Sequence, residues 1–207
     1  MIKKTTVART LGVLAVGGIM MFSAPQAEAL MIDGSYSVNV NNSDPGLVIQ
    51  TQNVLTNPFS VNLTLGVAQT VDLFRIWTNE GSINADDTVA KPASVNWVFT
   101  APTGGATSTG STVGGVSFFI FPFGQVTWNN PTVVSFSNGA ELQVNLSNEV
   151  FNQGVFSLFP GIQHGATIRA TLKLTKDAIN VPEPVSLVLL GMGLLGMGAL
   201  ARRRRLG

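Results

Sequence analysis

With one histidine, His164, and no cysteine in 207 residues, the chain has little to offer nucleophilic catalysis. A Ser-His-Asp array has a single candidate base, and thiol chemistry has no nucleophile. His164 lies in the turn-forming run Pro160-Gly161-Ile162-Gln163-His164-Gly165 and reads as an ordinary loop residue. Glu141 and Glu149 bracket what reads as one strand. At about 3.3 Å per residue they stand near its opposite ends, too far apart for the roughly 5–9.5 Å between paired carboxylates of a glycosidase. No catalytic residue, and no enzyme, is expected.

Two binding chemistries remain. Asn79, Glu80, Asn84, Asp86 and Asp87 crowd oxygen atoms into one loop with Gly81, and calcium takes six to eight such oxygens. The spacing is not that of an EF-hand, and a solvated turn accounts for the same residues. No metal or cofactor is therefore expected, with Glu80, Asp86 and Asp87 as the weak calcium candidates. Tyr36, Trp77, Trp97 and Trp128 could stack on sugar rings. Trp77 and Trp97 fall at core-like positions, whereas Trp128, beside Asn129 and Asn130, is the candidate for an exposed sugar platform.

The two ends carry a different message. Lys3, Lys4 and Arg9, the apolar run Leu11 to Phe22, and Ala27-Glu28-Ala29 have the order of a secretory signal peptide with an A-x-A cleavage site at Ala27 and Ala29. Twelve apolar residues make only about 18 Å of helix, short of a bilayer core. At the other end, Val185 to Ala201 is seventeen residues without charge, closed by Arg202, Arg203, Arg204 and Arg205. As a helix it spans about 26 Å, an adequate crossing, and the arginines should remain cytoplasmic. The literal Gly191-Met192-Gly193-Leu194-Leu195-Gly196 lies inside this run, without the strand and helix that a dinucleotide fingerprint needs.

Val181-Pro182-Glu183-Pro184, then the apolar run, then the arginine cluster resembles the PEP-CTERM sorting domain over about the last 27 residues. The resemblance implies that Pro182, Glu183 and Pro184 form a recognition motif for an exosortase, a membrane transpeptidase that removes the tail. Each proline disfavours helix at the residue before it, which suits an extended processing site. The implied partners are signal peptidase, a Sec-type export machinery, exosortase and the inner membrane of a Gram-negative cell. The domain would lie on the periplasmic side in the precursor, then at the cell surface or in an extracellular matrix. Members of this group often accompany exopolysaccharide, which makes it a further implied partner. A non-catalytic matrix or envelope role is expected first, a carbohydrate-binding module second and a hydrolase third.

Between residues 30 and 184, five basic residues stand against ten acidic ones, a net charge of −5 that gives no footprint for nucleic acid. This middle section, residues 30–180, reads as an all-β domain, an antiparallel sandwich or jelly roll of roughly ten strands. Apolar residues alternate with polar ones in Tyr36 to Val40, Phe59 to Leu65, Val95 to Phe99, Leu142 to Leu146 and Ile168 to Leu174. Val71 to Trp77 and Val116 to Phe121 carry apolar residues on both faces and predict central strands covered on each side. Ala101 to Gly115, rich in Thr, Ser and Gly, predicts a long flexible loop. Asn138-Gly139 predicts a hairpin with a type I′ turn.

Overall fold

Alternation of apolar and polar residues sets the inward side of each strand, and the computed structural model, which describes residues 29–178, follows it closely. Eleven strands form: β1 (Ala29–Asn39), β2 (Gln50–Asn53), β3 (Phe59–Thr64), β4 (Ala68–Trp77), β5 (Lys91–Ala101), β6 (Thr103–Ser117), β7 (Phe121–Trp128), β8 (Thr132–Ser135), β9 (Glu141–Leu146), β10 (Glu149–Phe151) and β11 (Ala166–Lys176). A single 3-10 turn, Ile162–His164, precedes β11. The strands build two antiparallel sheets, ordered β10-β7-β6-β5-β1-β3 and β2-β4-β11-β9-β8. One core draws on both: Ile32, Val95, Trp97, Phe99 and Val126 from the first sheet, and Phe74, Ile76, Leu142, Val144, Ile168 and Leu172 from the second.

The Thr/Ser/Gly-rich segment is not a loop. It is β6, fifteen residues long and paired on both sides, with β5 and β7. Threonine favours strands because its branched Cβ suits a pleated surface. Its inward positions are Gly104, Ala106, Ser108, Gly110, Thr112 and Gly114, all small, opposite Phe99, Trp97, Val95 and Ala93 on one side and Trp128, Val126 and Gly124 on the other. A smooth strand flanked by large neighbours keeps the interior filled without overpacking. A Cβ on Gly110 would come closest to the Thr127 carbonyl and would lie 2.8 Å from Trp128 Cε3. One on Gly104 would lie 2.7 Å from Phe136 Cδ1. Trp97 Nε1 donates to Ser108 Oγ at 3.0 Å, which satisfies the indole in the interior.

The two runs with apolar residues on both faces are also corrected. In β4, Ile168 pairs with Phe74 and Arg169 with Asp72, so Leu73 is an inserted residue. This bulge turns both Leu73 and Phe74 inward, and both are buried. The consecutive apolar pair Leu73-Phe74 therefore comes from a bulge, and the strand has one core face, not two. The Leu73 carbonyl accepts from the Val54 and Leu55 amides, each at 3.0 Å, and from the Tyr36 hydroxyl at 2.6 Å. Burial pushes the Tyr36 phenol up to about 12. Val116 to Phe121 is no central strand either, since it crosses the β6–β7 turn and Phe118 and Phe119 are 83% and 98% exposed. Two packed sheets cover only one face of each strand, leaving no second layer to receive such a run.

Asn138-Gly139 does close the β8–β9 hairpin. Gly139 alone of the pair has positive φ, 84°, the Gly139 amide donates to the Phe136 carbonyl at 3.0 Å and the Phe136 amide to Ala140 at 2.9 Å. That is a type I turn ending in a glycine bulge in place of the expected type I′ turn.

Candidate functional site

The loop between β4 and β5 spends its carboxylates on backbone amides. Glu80 Oε1 accepts from the Val48 N–H at 2.9 Å, and Asp86 Oδ2 from Gly46 N–H at 2.7 Å, so the β4–β5 loop clasps the segment before β2. Asp87 Oδ2 accepts from Asn84 N–H at 2.8 Å, and Asn84 Oδ1 from the Asp86 and Asp87 amides. The calcium reading of Glu80, Asp86 and Asp87 gains nothing from this geometry, because each carboxylate is turned to a different amide. Among the described residues no group of three or more acidic, histidine or cysteine side chains is placed to hold a metal. Burial is the main influence holding the Glu80 carboxyl above the usual range. The Val48 amide pulls it down, while Asp87, Asp44 and Asp86 raise it.

Trp128 is corrected as well. It continues the inward phase of Val126 and is only 6% exposed, so it presents no open face to a sugar. Its position at a strand end is real, but the two-residue repeat decides its side. His164 ends the 3-10 turn, and its ring packs against Phe159 with centroids 5.3 Å apart. Glu141 and Glu149 lie on different strands, β9 and β10, in different sheets, and Glu141 pairs with Lys176 at 3.3 Å. They do not bracket one strand as expected. Pro182, Glu183, Pro184, Arg202 to Arg205, the transmembrane run 185–201 and the signal segment through Ala27 lie outside the described residues. Ala29 opens β1 and pairs with Thr64.

The feature that sequence reasoning misplaced is an apolar end. The β6–β7 turn carries Phe118, Phe119 and Ile120, and the loop after β10 carries Val155, Phe156 and Phe159. Phe156 N–H donates to the Ile120 carbonyl at 2.7 Å and Gly154 N–H to Pro122 at 3.1 Å, joining the two loops. An open groove runs between them, lined by Ile83, Val116, Phe119, Ile120, Pro122 and Phe156. Phe118, Phe119 and Phe156 all have positive φ, at 47°, 64° and 62°. Bulky residues rarely adopt this region, and each costs on the order of 1 kcal/mol there. Asn152 fixes the second loop: it is buried, its Oδ1 accepts from Thr78 N–H at 2.9 Å, and its Nδ2 donates to the Phe159 and Gly161 carbonyls. The signal in the sequence was an apolar run bounded by Gly114-Gly115 and Pro122, with no alternation to give it an inward side.

Comparison with known proteins touches only the tail. The family model described as the PEP-CTERM protein-sorting motif matches residues 180–205, two residues beyond the last described position of the domain. No curated protein and no solved structure matches the chain.

Proposed function

We propose that this chain, whose tail is a PEP-CTERM sorting motif, is an exported envelope or extracellular-matrix protein with a non-catalytic β-sandwich domain, released from its membrane anchor by exosortase. The match at residues 180–205 carries the reading, since the motif implies sorting by that enzyme. The end of β11 at Lys176 supports it, because processing at Pro182-Glu183-Pro184 would leave every strand of the domain intact. At the other end, removal of a signal peptide after Ala29 would cost β1 a single terminal residue. The precursor would hold Val185 to Ala201 in the inner membrane with the domain on the periplasmic side.

Mass spectrometry of the mature protein tests this reading. A C-terminus upstream of Val185, and retention of Arg202 to Arg205 in cells lacking exosortase, is the expected pair of results. A mature protein that keeps Arg202 to Arg205 in ordinary cells would refute processing and establish a permanent anchor.

A further inference from the structure

We propose that the apolar end formed by the β6–β7 turn and the loop after β10 joins a second copy of this chain about a two-fold axis, with Phe118 of each copy filling the groove of the other. Phe118, Phe119, Phe156 and Phe159 are 83%, 98%, 80% and 43% exposed. At about 150–250 Å² for a whole aromatic side chain, they leave roughly 600 Å² of ring surface open. Val116, Ile120 and Val155, at 50%, 36% and 47%, carry the apolar total to about 750 Å². The largest apolar patch of a monomer is ordinarily about 300–600 Å², whereas each partner in a standard protein interface contributes about 800 Å². The patch is thus of the size that one more folded chain covers.

Shape decides which chain. The groove between the two loops holds about 180 Å³, and a cavity of about 150 Å³ is enough for one benzene ring. Its lining includes Phe119, Ile120, Pro122 and Phe156 but not Phe118, the neighbouring ring. One patch therefore carries both a projecting ring and a receptacle of ring size. A two-fold axis pairs each with its counterpart and closes the assembly at two copies, because an isologous interface uses the same surface on both.

The backbone holds the ring out. Ile120 N–H donates to the Ser117 carbonyl at 3.2 Å, closing a two-residue turn with Phe118 and Phe119 at its centre, both at positive φ. Asparagine and glycine are the ordinary occupants of such a turn. Strain of this kind persists where it serves a function, and two rings that stand almost fully exposed in one copy serve none until they are covered. No Asp, Glu, Lys, Arg or His occurs between Lys91 and Glu141, or between Glu149 and His164, so the centre of the patch is uncharged, as interface cores are. The β4–β5 loop reaches the groove through Ser82 and Ile83 and brings Glu80 and Asp86 to its border. In a two-fold pair these acidic borders stand at the solvated rim with equal sign, so salt should screen a mild repulsion and leave the apolar contact intact. A basic partner protein would instead be released by salt.

The chain has no cysteine, so Ala90→Cys, exposed in the β4–β5 loop, places a single dye beside the patch. Full-length copies labelled with donor or acceptor and reconstituted together in phosphatidylcholine vesicles should show energy transfer that falls as lipid dilutes the protein and that holds or rises at high salt. Phe118→Asn keeps a residue suited to positive φ while removing one ring from each half of the pair. It should move the dilution midpoint by about thirtyfold or more, as for a ring at the centre of an interface, with no loss in the thermal melt of the dilute protein. A benzophenone side chain in place of the Phe118 ring should cross-link to the segment bearing Pro122 or Phe156 of an isotopically distinct copy. Absence of transfer, or transfer that survives Phe118→Asn and so arises in the tail, would overturn the proposal. So would cross-links to lipid alone, which would lay the tip on the bilayer, or transfer lost at high salt, which would assign the contact to charged groups.

Discussion

Gly110→Ala tests whether β6 is a strand that must be smooth. At a strand position with room, replacing glycine by alanine gains about 0.4–1 kcal/mol by restricting the unfolded chain. At Gly110 the new Cβ meets the Thr127 carbonyl first, then Trp128 Cε3 at 2.8 Å and Trp128 Cα at 3.1 Å. Carbon atoms prefer roughly 3.5–4.0 Å, so the ring must retreat by more than half an ångström. Two of these neighbours are backbone of β7, so relief parts a paired strand. Overpacking of this kind costs about 1–3 kcal/mol. Set against the entropic gain, a net loss of about 1–2 kcal/mol is expected, a fall in Tm of roughly 2–8 °C for a domain of this size. Gly81→Ala is the control: the site is exposed, nothing lies within 4 Å of its Cβ, and Tm should hold or rise slightly. Both variants can be followed by tryptophan fluorescence, since Trp97 and Trp128 are buried. Equal stability of the two variants would refute the close packing of β6 against β7.

Tyr36→Phe removes the hydroxyl that donates to Leu73 while leaving that carbonyl its two amide donors. A loss of about 1 kcal/mol, or roughly 2–4 °C in Tm, should appear in denaturant or thermal unfolding. Asn152→Ala deletes three hydrogen bonds at a buried residue with φ of 53°, where alanine is strained. It should cost about 3 kcal/mol or more and raise proteolysis in the loop bearing Phe156. The raised Glu80 carboxyl predicts a definite pH slope. Its share of stability is fully present below the unfolded carboxylate value and is lost as pH rises through the higher folded value. Glu80→Gln keeps an acceptor for Val48 N–H, so its denaturation midpoint should vary less with pH across that window than that of the parent protein.

Much of the fold could be read from alternation alone. Val95-Trp97-Phe99, Leu142-Val144-Leu146 and Ile168-Ala170-Leu172-Leu174 all point inward as their spacing predicts. The errors arose where residue type and residue position disagree. Gly104 to Gly114 look like a loop by composition, but they occupy the inward side of β6 because Trp97, Phe99 and Trp128 take the space around it. Trp128 looks exposed beside Asn129, although the repeat Val126, Trp128 already set its side. Leu73-Phe74 needed a bulge, and a bulge depends on the partner strand, which the local sequence does not contain. The exposed phenylalanines were hidden by the ordinary assumption that apolar runs are buried. Only the order of the sheets shows that Val116 to Phe121 has nothing to cover it. The sorting tail was legible because it is a linear signal, independent of packing.

The borders of the two sheets have a consequence for crowding. The outermost strands are β10, β3, β2 and β8, with three, six, four and four residues. Short borders offer few free amides and carbonyls to another chain. The six-residue border, β3, turns Ser60 and Asn62 outward, and the Ser60 hydroxyl is already engaged by Asp33. With such abbreviated margins, neighbouring copies brought close together have little backbone through which to zip into a shared sheet.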